Sequence, residues 1–506
     1  MATRAKTLMV QGTASSVGKS VLVAALCRIL KQDGLRVAPF KSQNMALNSF
    51  VTADGGEMGR AQVVQAMAAG VEPSVDMNPI LLKPEADARS QVIVRGKVYG
   101  TLPARDYYQE RLRLLSIIEE SLERLRASYD VVLIEGAGSP AEVNLKQNEI
   151  VNMRIARMAQ APVLLAGDID RGGVFAALVG TLELLEPEER AFVRGFVINK
   201  FRGDVSLLKP GLDFLEARTG VPVVGVVPYF TDIQISEEDS VSLEQGRPVQ
   251  DGVKLIDIAV IQFPRISNFD DFDPLAQEEG VGVRYVRDAA ALGGPDLVIL
   301  PGTKSTMSDL GFLRRSGLAE AVIRLARKGT PVIGVCGGYQ MLGQTIHDPQ
   351  GVESSQPCVA GLGLLPVSTT FEREKATHQV TARVADSTGM LAGATGKEVR
   401  GYEIHMGSTS GQGEAAPFVV LERSGERACL PDGCIDASGH ILGTYIHGLF
   451  SNTSLRLSLL GYLAEKKGIS LPRLGAIATQ EEHLNRLAAL VRGHVDMGLI
   501  YRITGL

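Results

Sequence analysis

The sequence has few cysteines, no long hydrophobic run and no strong excess of charge. Its five cysteines are odd in number and scattered over 506 residues, unlike a disulfide framework. No apolar run approaches the roughly 18 residues that span a bilayer. Met1–Lys6 shows no signal-peptide pattern, so we expect a cytoplasmic protein. A net charge of −5 gives no long-range attraction for nucleic acid or anionic lipid, which leaves a small molecule as the expected partner.

Short apolar runs alternate with helical stretches in the first half of the chain. A length of 506 residues is too great for one hydrophobic core, so two or more domains are expected. Strands that alternate with helices are typical of a parallel, doubly wound α/β sheet, whose ligands bind beyond the carboxyl ends of the strands. The predicted strands are Leu35–Phe40, Tyr129–Ile134, Pro162–Ala166, Phe192–Ile198 and Val221–Val227.

The apolar periodicity lapses between Pro228 and Val253, and we place a domain boundary there. The sequence therefore predicts a first domain over residues 1–235, a linker over 236–252 and a second α/β domain over 253–506 that ends in a helical tail. In the second domain the predicted strands are Leu255–Phe263, Val283–Val286, Leu297–Leu300 and Pro331–Val335, and the predicted tail helices are Ser454–Lys467 and Gln480–Arg492.

The segment Gln11–Ser20, Q-G-T-A-S-S-V-G-K-S, lies between an apolar strand and an amphipathic helix. Backbone N–H groups and the helix dipole converge on an anion in such a turn, so we expect a variant phosphate-binding P-loop with Thr13 in place of the usual first glycine. Thr13, Val17, Gly18, Lys19 and Ser20 are the predicted nucleotide-binding residues, Ser20 also through Mg²⁺. A surface turn that happens to contain Gly-Lys-Ser is the structural alternative.

Polar residues follow several of the predicted strands of the first half. Lys41 follows one strand, Glu135 ends another and Asp168–Gly173 follow a third. An acidic residue at a strand end is typical of the second Mg²⁺ contact of P-loop enzymes. Each segment taken alone also fits a helix cap or a solvated turn, but together they predict a polar site at one sheet edge.

A second site is predicted at Cys336, where a buried strand turns sharply into a helix between small residues. This is the geometry of a nucleophile elbow, and a helix N-terminus stabilises a thiolate. His447, just beyond an apolar strand, is the expected base, with His405 as the competing candidate. The turn Pro301–Thr306 could present N–H groups to an oxyanion. A strand-end histidine held by backbone groups is the alternative for His447.

The Cys336 elbow, the Pro301–Thr306 loop and the late His447 resemble class I glutamine amidotransferases. That resemblance implies release of ammonia from glutamine through a thioester on Cys336. Many of these enzymes have a glutamate two residues after the histidine, where this chain has Leu449. The difference is similar to the Cys–His subgroup among cobalamin-pathway amidases and leaves the residue that orients His447 open, with Glu403 as a candidate.

The first half resembles dethiobiotin synthetase and its relatives, which phosphorylate carboxylates with ATP. By that resemblance Ser20, Asp54 and Glu135 hold Mg²⁺. Lys41 is expected to face the phosphoryl or carboxylate group, and Asn199 is expected to recognise the adenine base.

The order of Lys41–Ser49, Asn78–Pro84 and Asp168–Gly173 resembles the cobalamin-pathway amidases over nearly the whole chain. The family implies an ATP-dependent and glutamine-dependent amidation of corrinoid carboxylates, at an early or a later step on the ring, and the order of the segments favours the later step. Gln43–Ser49 and Asn78–Pro84 are the most specific parts of the resemblance, because neither belongs to P-loops or amidotransferases in general. Two other families fit less well. Cytidine triphosphate synthetase usually has a glutamate at the position that Leu449 occupies in this chain. Partitioning ATPases carry a lysine where this chain has Ala14, and they would leave the second domain without a purpose.

Overall fold

The computed structural model describes residues 4–86, 89–235, 254–411, 416–472, 474–475 and 477–506. The chain forms two compact units, each built from separated stretches: Met1–Ala46, Met58–Ser236 and Ala478–Leu506 make the first, and Leu47–Glu57 and Glu237–Ile477 the second. These units differ from the predicted domains at residues 47–57 and at the C-terminal tail. The predicted linker, 236–252, lies outside the described residues.

The first unit is built around a six-stranded parallel sheet. Its strand order is Val223–Pro228, Val193–Phe201, Val163–Asp168, Lys6–Gly12, Val131–Glu135 and Val37–Phe40. Every residue of the Val131–Glu135 strand is buried, which explains its unbroken apolar run, because a parallel strand is covered on both faces. The predicted fold class is confirmed, and the five predicted strands lie within one to three residues of the observed ones.

The first unit also contains a smaller mixed sheet of Gln43–Met45, Ile80–Ala86, Arg89–Val94 and Lys97–Pro103. The short strand Glu57–Gly59 is divided in sequence, with Glu57 assigned to the second unit and its other residues to the first. The helices of the first unit are Lys19–Gln32, Arg60–Ala69, Val75–Met77, Ala104–Glu110, Leu115–Ser128, Lys146–Asn148, Met153–Ala159, Val174–Leu184, Pro187–Arg190, Val205–Thr219, Gln480–Arg492 and Met497–Thr504.

The predicted tail helix Gln480–Arg492 belongs to the first unit. Its apolar residues Leu484, Leu487 and Val491 share a core with the Lys19–Gln32 helix. An ion pair joins Arg28 to Glu481 at 2.7 Å. The C-terminal chain therefore completes the core beneath the P-loop helix.

The second unit contains another six-stranded sheet, in the order Val281–Val286, Ile256–Ile261, Leu297–Leu300, Val332–Val335, Ile441–Thr444 and Cys434–Ile435. Only the last strand of this sheet is antiparallel. A second sheet consists of Cys358–Ala360, Thr345–His347, Val367–Val384, Glu398–Gly411, Phe418–Arg423 and Glu426–Asp432.

The helices of the second unit are Phe269–Phe272, Asp273–Ala276, Ala289–Leu292, Thr306–Arg315, Leu318–Arg327, Gly337–Leu342, Gly389–Ala394, Leu449–Ser451 and Thr453–Lys467, and Ser49–Val51 is a further strand. In the part of the chain that the structure describes, none of the helices has the length and apolar character needed to cross a membrane.

Candidate functional site

The Gln11–Ser20 segment forms a strand, a loop and the first turn of the Lys19–Gln32 helix. Gly18 has a φ of 96°, a left-handed conformation that favours glycine. The Lys19 ammonium group donates to the carbonyls of Ala14 at 2.9 Å and Gly138 at 3.1 Å, so the loop curls around its own lysine. This arrangement gathers N–H groups and a cation at a helix N-terminus, as a phosphate site requires.

Two neighbouring strands brace the loop. The backbone N–H of Thr13 donates to the Ala166 carbonyl at 3.0 Å. The buried Asn199 amide donates to the Val17 carbonyl at 2.8 Å. Asn199 is thus a direct neighbour of the phosphate loop, and its predicted contact with adenine stays a prediction.

Glu135 is the centre of a buried polar cluster at the end of its strand. Its Oε1 accepts from the Ser20 hydroxyl at 2.7 Å and from the Lys41 ammonium group at 3.0 Å. Its Oε2 accepts from the amides of Gln62 at 3.2 Å and Gln65 at 2.5 Å. The structure therefore brings together three predicted residues, Ser20, Lys41 and Glu135, and adds two glutamines from one helix that sequence patterns did not single out.

The remaining acidic candidates have other neighbours. Asp54 lies in the second unit, where its carboxylate accepts a hydrogen bond from Thr52, so its part in a metal site stays a prediction. Asp168 pairs with Lys200 at 2.8 Å, and Asp170 pairs with Arg202 at 2.9 Å. These last two carboxylates are already neutralised by cations.

Cys336 lies at a strained turn in the second unit, between the Val332–Val335 strand and the Gly337–Leu342 helix. Its backbone has a φ of 52° and a ψ of −110°, outside the preferred regions for a residue with a side chain. A Cβ on Gly338 would lie 1.9 Å from the Leu300 carbonyl oxygen, so this position needs glycine. The thiol contacts the Ile404 carbonyl at 3.6 Å. These features are those of a nucleophile elbow.

His447 is completely buried and is oriented by an aspartate. Its Nδ1–H donates to Asp271 Oδ2 at 2.6 Å, while Asp271 Oδ1 accepts from the Gly448 N–H at 2.9 Å. Among the described residues the other ring nitrogen, Nε2, has no hydrogen-bond partner. Burial opposes the charged ring, but Asp271 and the nearby Cys336 sulfur outweigh it and raise the pKa of His447 to about 10.

The alternatives considered from the sequence have different environments. Burial lowers the pKa of His405 to about 3, and its Nδ1 donates to the Gly407 carbonyl at 3.0 Å. Glu403 forms an ion pair with Arg423 at 2.9 Å. The orienting position at His447 is therefore held by Asp271, which sequence reasoning missed. The oxyanion role of the Pro301–Thr306 loop stays a prediction.

A segment from the N-terminal half of the sequence supports this histidine within the second unit. Asn268 donates through its backbone N–H to Asn48 at 2.7 Å, and through its side chain to the Ser49 carbonyl at 2.7 Å and the Tyr402 hydroxyl at 2.6 Å. The Tyr402 ring stacks on His447 with centroids 5.3 Å apart. Three successive contacts, Asn48 to Asn268, Asn268 to Tyr402 and Tyr402 to His447, thus connect Asn48 to the imidazole.

A cysteine elbow with a His–Asp pair in one unit and a phosphate-binding loop in the other define a glutamine-dependent amidating ligase. Comparison with known families agrees with both halves. Residues 8–243 match the CobQ/CobB/MinD/ParA nucleotide binding domain, and residues 257–455 match the CobB/CobQ-like glutamine amidotransferase domain.

Relatives extend the match to the whole chain. The cobyric acid synthase of Sorangium cellulosum (strain So ce56) is 59% identical, with 99% of each chain covered. Those of Dehalococcoides mccartyi (strain CBDB1) and Moorella thermoacetica are 56% and 55% identical, covering 99% of this chain and 99% and 98% of their own. The chain belongs to the cobyric acid synthase family, which acts in cobalamin biosynthesis, and the predicted resemblance is confirmed.

Proposed function

We propose that this enzyme amidates the b, d, e and g carboxylates of adenosylcobyrinic acid a,c-diamide, with ATP and glutamine, to give adenosylcobyric acid. The observation that carries the proposal is the pairing, in one chain, of the Cys336–His447–Asp271 arrangement with a P-loop whose Ser20 contacts Glu135. One site supplies ammonia and the other activates a carboxylate.

Activation is needed because a carboxylate repels nucleophiles and has no good leaving group. A carboxylate oxygen attacks the γ-phosphorus of ATP, ADP leaves, and the product is an acyl phosphate. The N-terminus of the Lys19–Gln32 helix and the Lys19 ammonium group stabilise the negative charge of the transferred group. Ammonia then attacks the acyl carbon and phosphate leaves.

The cluster around Glu135 fits Mg²⁺. A hydroxyl and a carboxylate, with oxygens 2.7 Å apart at Ser20 and Glu135, are hard donors of the kind this cation takes together with phosphate oxygens. Ser20 and Glu135 would hold the ion, which when bound neutralises phosphate charge. Lys41, 3.0 Å from the same carboxylate oxygen, places a second positive charge beside the acceptor.

The second site releases ammonia. The Cys336 sulfur attacks the carboxamide carbon of glutamine, and the imidazolium of His447 gives its proton to the departing nitrogen. Water then hydrolyses the thioester to glutamate, with His447 as the base. Asp271 keeps Nδ1 protonated, so that Nε2 is the nitrogen that exchanges the proton.

The test is a mass spectrum of the product formed from the a,c-diamide and ATP. Cys336→Ala should abolish turnover with glutamine yet leave turnover with ammonia, because only the ammonia source is lost. Lys19→Ala should suppress both. Loss of the ammonia reaction in a folded Cys336→Ala protein would contradict the two-site scheme.

The neighbouring reaction of the pathway is the competing function. An enzyme that forms the a,c-diamide from cobyrinic acid shares this layout but acts earlier on the ring. Presenting each precursor separately decides between them: turnover of cobyrinic acid alone would overturn the proposal, whereas four successive mass steps from the a,c-diamide support it.

A further inference from the structure

The first unit contains a cavity of about 700 Å³ beside its phosphate loop. Gly138, Asn152, Gln43 and Arg111 lie in its wall. The Gly138 carbonyl also accepts from the Lys19 ammonium group at 3.1 Å. The cavity therefore ends one hydrogen bond from the lysine that binds phosphate, which is where an acceptor of the phosphoryl group must reach.

Most cations of the cavity wall are already engaged by the protein. Lys146 pairs with Glu189 at 2.9 Å, and Arg157 lies 3.6 Å from the same carboxylate. Arg154 donates to the Gln147 carbonyl at 3.0 Å. These contacts stabilise the wall, and protein groups already compensate most of the charge of these side chains.

Arg111 is different. Its guanidinium lies 5.6 Å and 5.3 Å from the ring centroids of Tyr107 and Tyr108, which fix its orientation. No carboxylate within the described ranges forms an ion pair with it, and its buried Nε has no hydrogen-bond partner there. A partly buried cation without an anion is costly, so the position is complementary to an anionic ligand.

Gln43 lies in the same wall and is held in place by Tyr107. The Tyr107 hydroxyl donates to Gln43 Oε1 at 2.6 Å, which leaves the amide N–H₂ as the group that Gln43 can offer to a ligand. One tyrosine thus positions both a cation and an amide donor. A carboxylate accepts from both types of donor, and a carboxamide uses the cation poorly.

We propose that this cavity seats the acceptor of the amidation, a molecule with several carboxylates, and that Arg111 with Gln43 binds one carboxylate while another reaches the phosphate loop. This inference rests on the proposed function and assigns its acceptor subsite. Each amidation replaces a negative group by a neutral one. Arg111 therefore favours the acceptor, whose b, d, e and g carboxylates are still free, over the product, in which those four groups are neutral amides.

The experiment measures equilibrium binding of adenosylcobyrinic acid a,c-diamide and of adenosylcobyric acid, by the absorbance of the corrin, to full-length protein with a non-hydrolysable ATP analogue and Mg²⁺. We expect the wild type to bind the a,c-diamide at least ten-fold more tightly than adenosylcobyric acid, because a charge-assisted hydrogen bond has about that effect. Arg111→Gln should weaken acid binding roughly ten-fold or more and leave product binding unchanged. Arg111→Lys should keep part of the preference.

The matched control is Arg113→Gln, which removes an exposed cation two residues from Arg111 that pairs with Glu110 at 2.8 Å and does not line the cavity. It should leave both affinities within about two-fold. Equal weakening of acid and product by Arg111→Gln, or none, would overturn the assignment of Arg111 while wild-type turnover still supports the proposed function. A wild type that neither binds nor amidates the a,c-diamide would instead overturn the proposed function, and this inference with it.

Discussion

Asp271→Asn is the substitution that tests the glutaminase geometry most directly. An asparagine has the same shape, and its side-chain oxygen can still accept from the Gly448 N–H, as Asp271 Oδ1 does at 2.9 Å. Its N–H₂ group then faces His447 Nδ1, which must become an acceptor. The ring is forced into the tautomer protonated at Nε2, and this nitrogen can no longer take a proton.

The size of the effect follows from the electrostatics of the buried ring. Burial alone lowers the pKa of His447, and it is chiefly the carboxylate of Asp271 that raises the pKa to about 10. One pKa unit corresponds to about 1.4 kcal/mol, so the surroundings of the ring favour its protonated form by several kcal/mol relative to a histidine with the ordinary pKa of 6.5. Because the pKa is raised, the imidazolium should persist through neutral pH and lose its proton only as the pH approaches about 10.

Two measurements on Asp271→Asn follow. Glutamine-dependent amidation should fall by about two to four orders of magnitude, while ammonia-dependent amidation stays within about two-fold. Nitrogen NMR of labelled histidine should show His447 protonated on both nitrogens at pH 7.5 in the wild type and neutral in the variant. Glu403→Gln is the control, because Glu403 pairs with Arg423 and not with His447. Unchanged glutamine turnover in Asp271→Asn would refute the role of this carboxylate.

Four other substitutions test the second unit. Asn48→Ala should lower glutamine-dependent turnover several-fold and spare ammonia-dependent turnover, because Asn48 supports Asn268; an equal loss of both would contradict this. Gly338→Ala should destroy the elbow and the glutaminase. Gly461→Ala should instead raise the free energy of unfolding by roughly 1 kcal/mol, because Gly461 is an exposed position of the Thr453–Lys467 helix where an added Cβ would have nothing within 4 Å. Arg456→Met should destabilise by about 3–5 kcal/mol in thermal unfolding, because it leaves the buried Glu278, 2.8 Å from Arg456, without its cation.

Local patterns were sufficient to predict the elements that carry the chemistry. Continuous apolar runs predicted the buried parallel strands, and the residues just after them, such as Lys41 and Glu135, do come together at one sheet edge. The turn at Cys336 was predictable because small residues must flank a strained elbow, as the 1.9 Å approach of a Cβ on Gly338 to Leu300 demonstrates.

Contacts between distant parts of the chain were not predictable from one sequence. Asp271 lies 176 residues before His447, in a short helical turn whose Asp270-Asp271 pair reads as an ordinary helix start. The glutamate expected at Leu449 was absent, and nothing local showed where a replacement was placed. The available signal was an acidic residue in the loop after a predicted strand of the same domain, such as Asp271 after the Leu255–Phe263 strand.

The residues 47–57 show how the two activities are joined by the chain itself. The nucleotide-binding family spans residues 8–243 without a break, yet this stretch packs in the amidotransferase unit. Asn48 follows directly on the segment that contains Lys41 and Gln43, and it fixes Asn268, which in turn holds Tyr402 against His447. The chain therefore continues from the segment of Lys41 and Gln43 directly into the contacts that surround His447, and the Asn48→Ala measurement tests whether those contacts matter to the glutaminase.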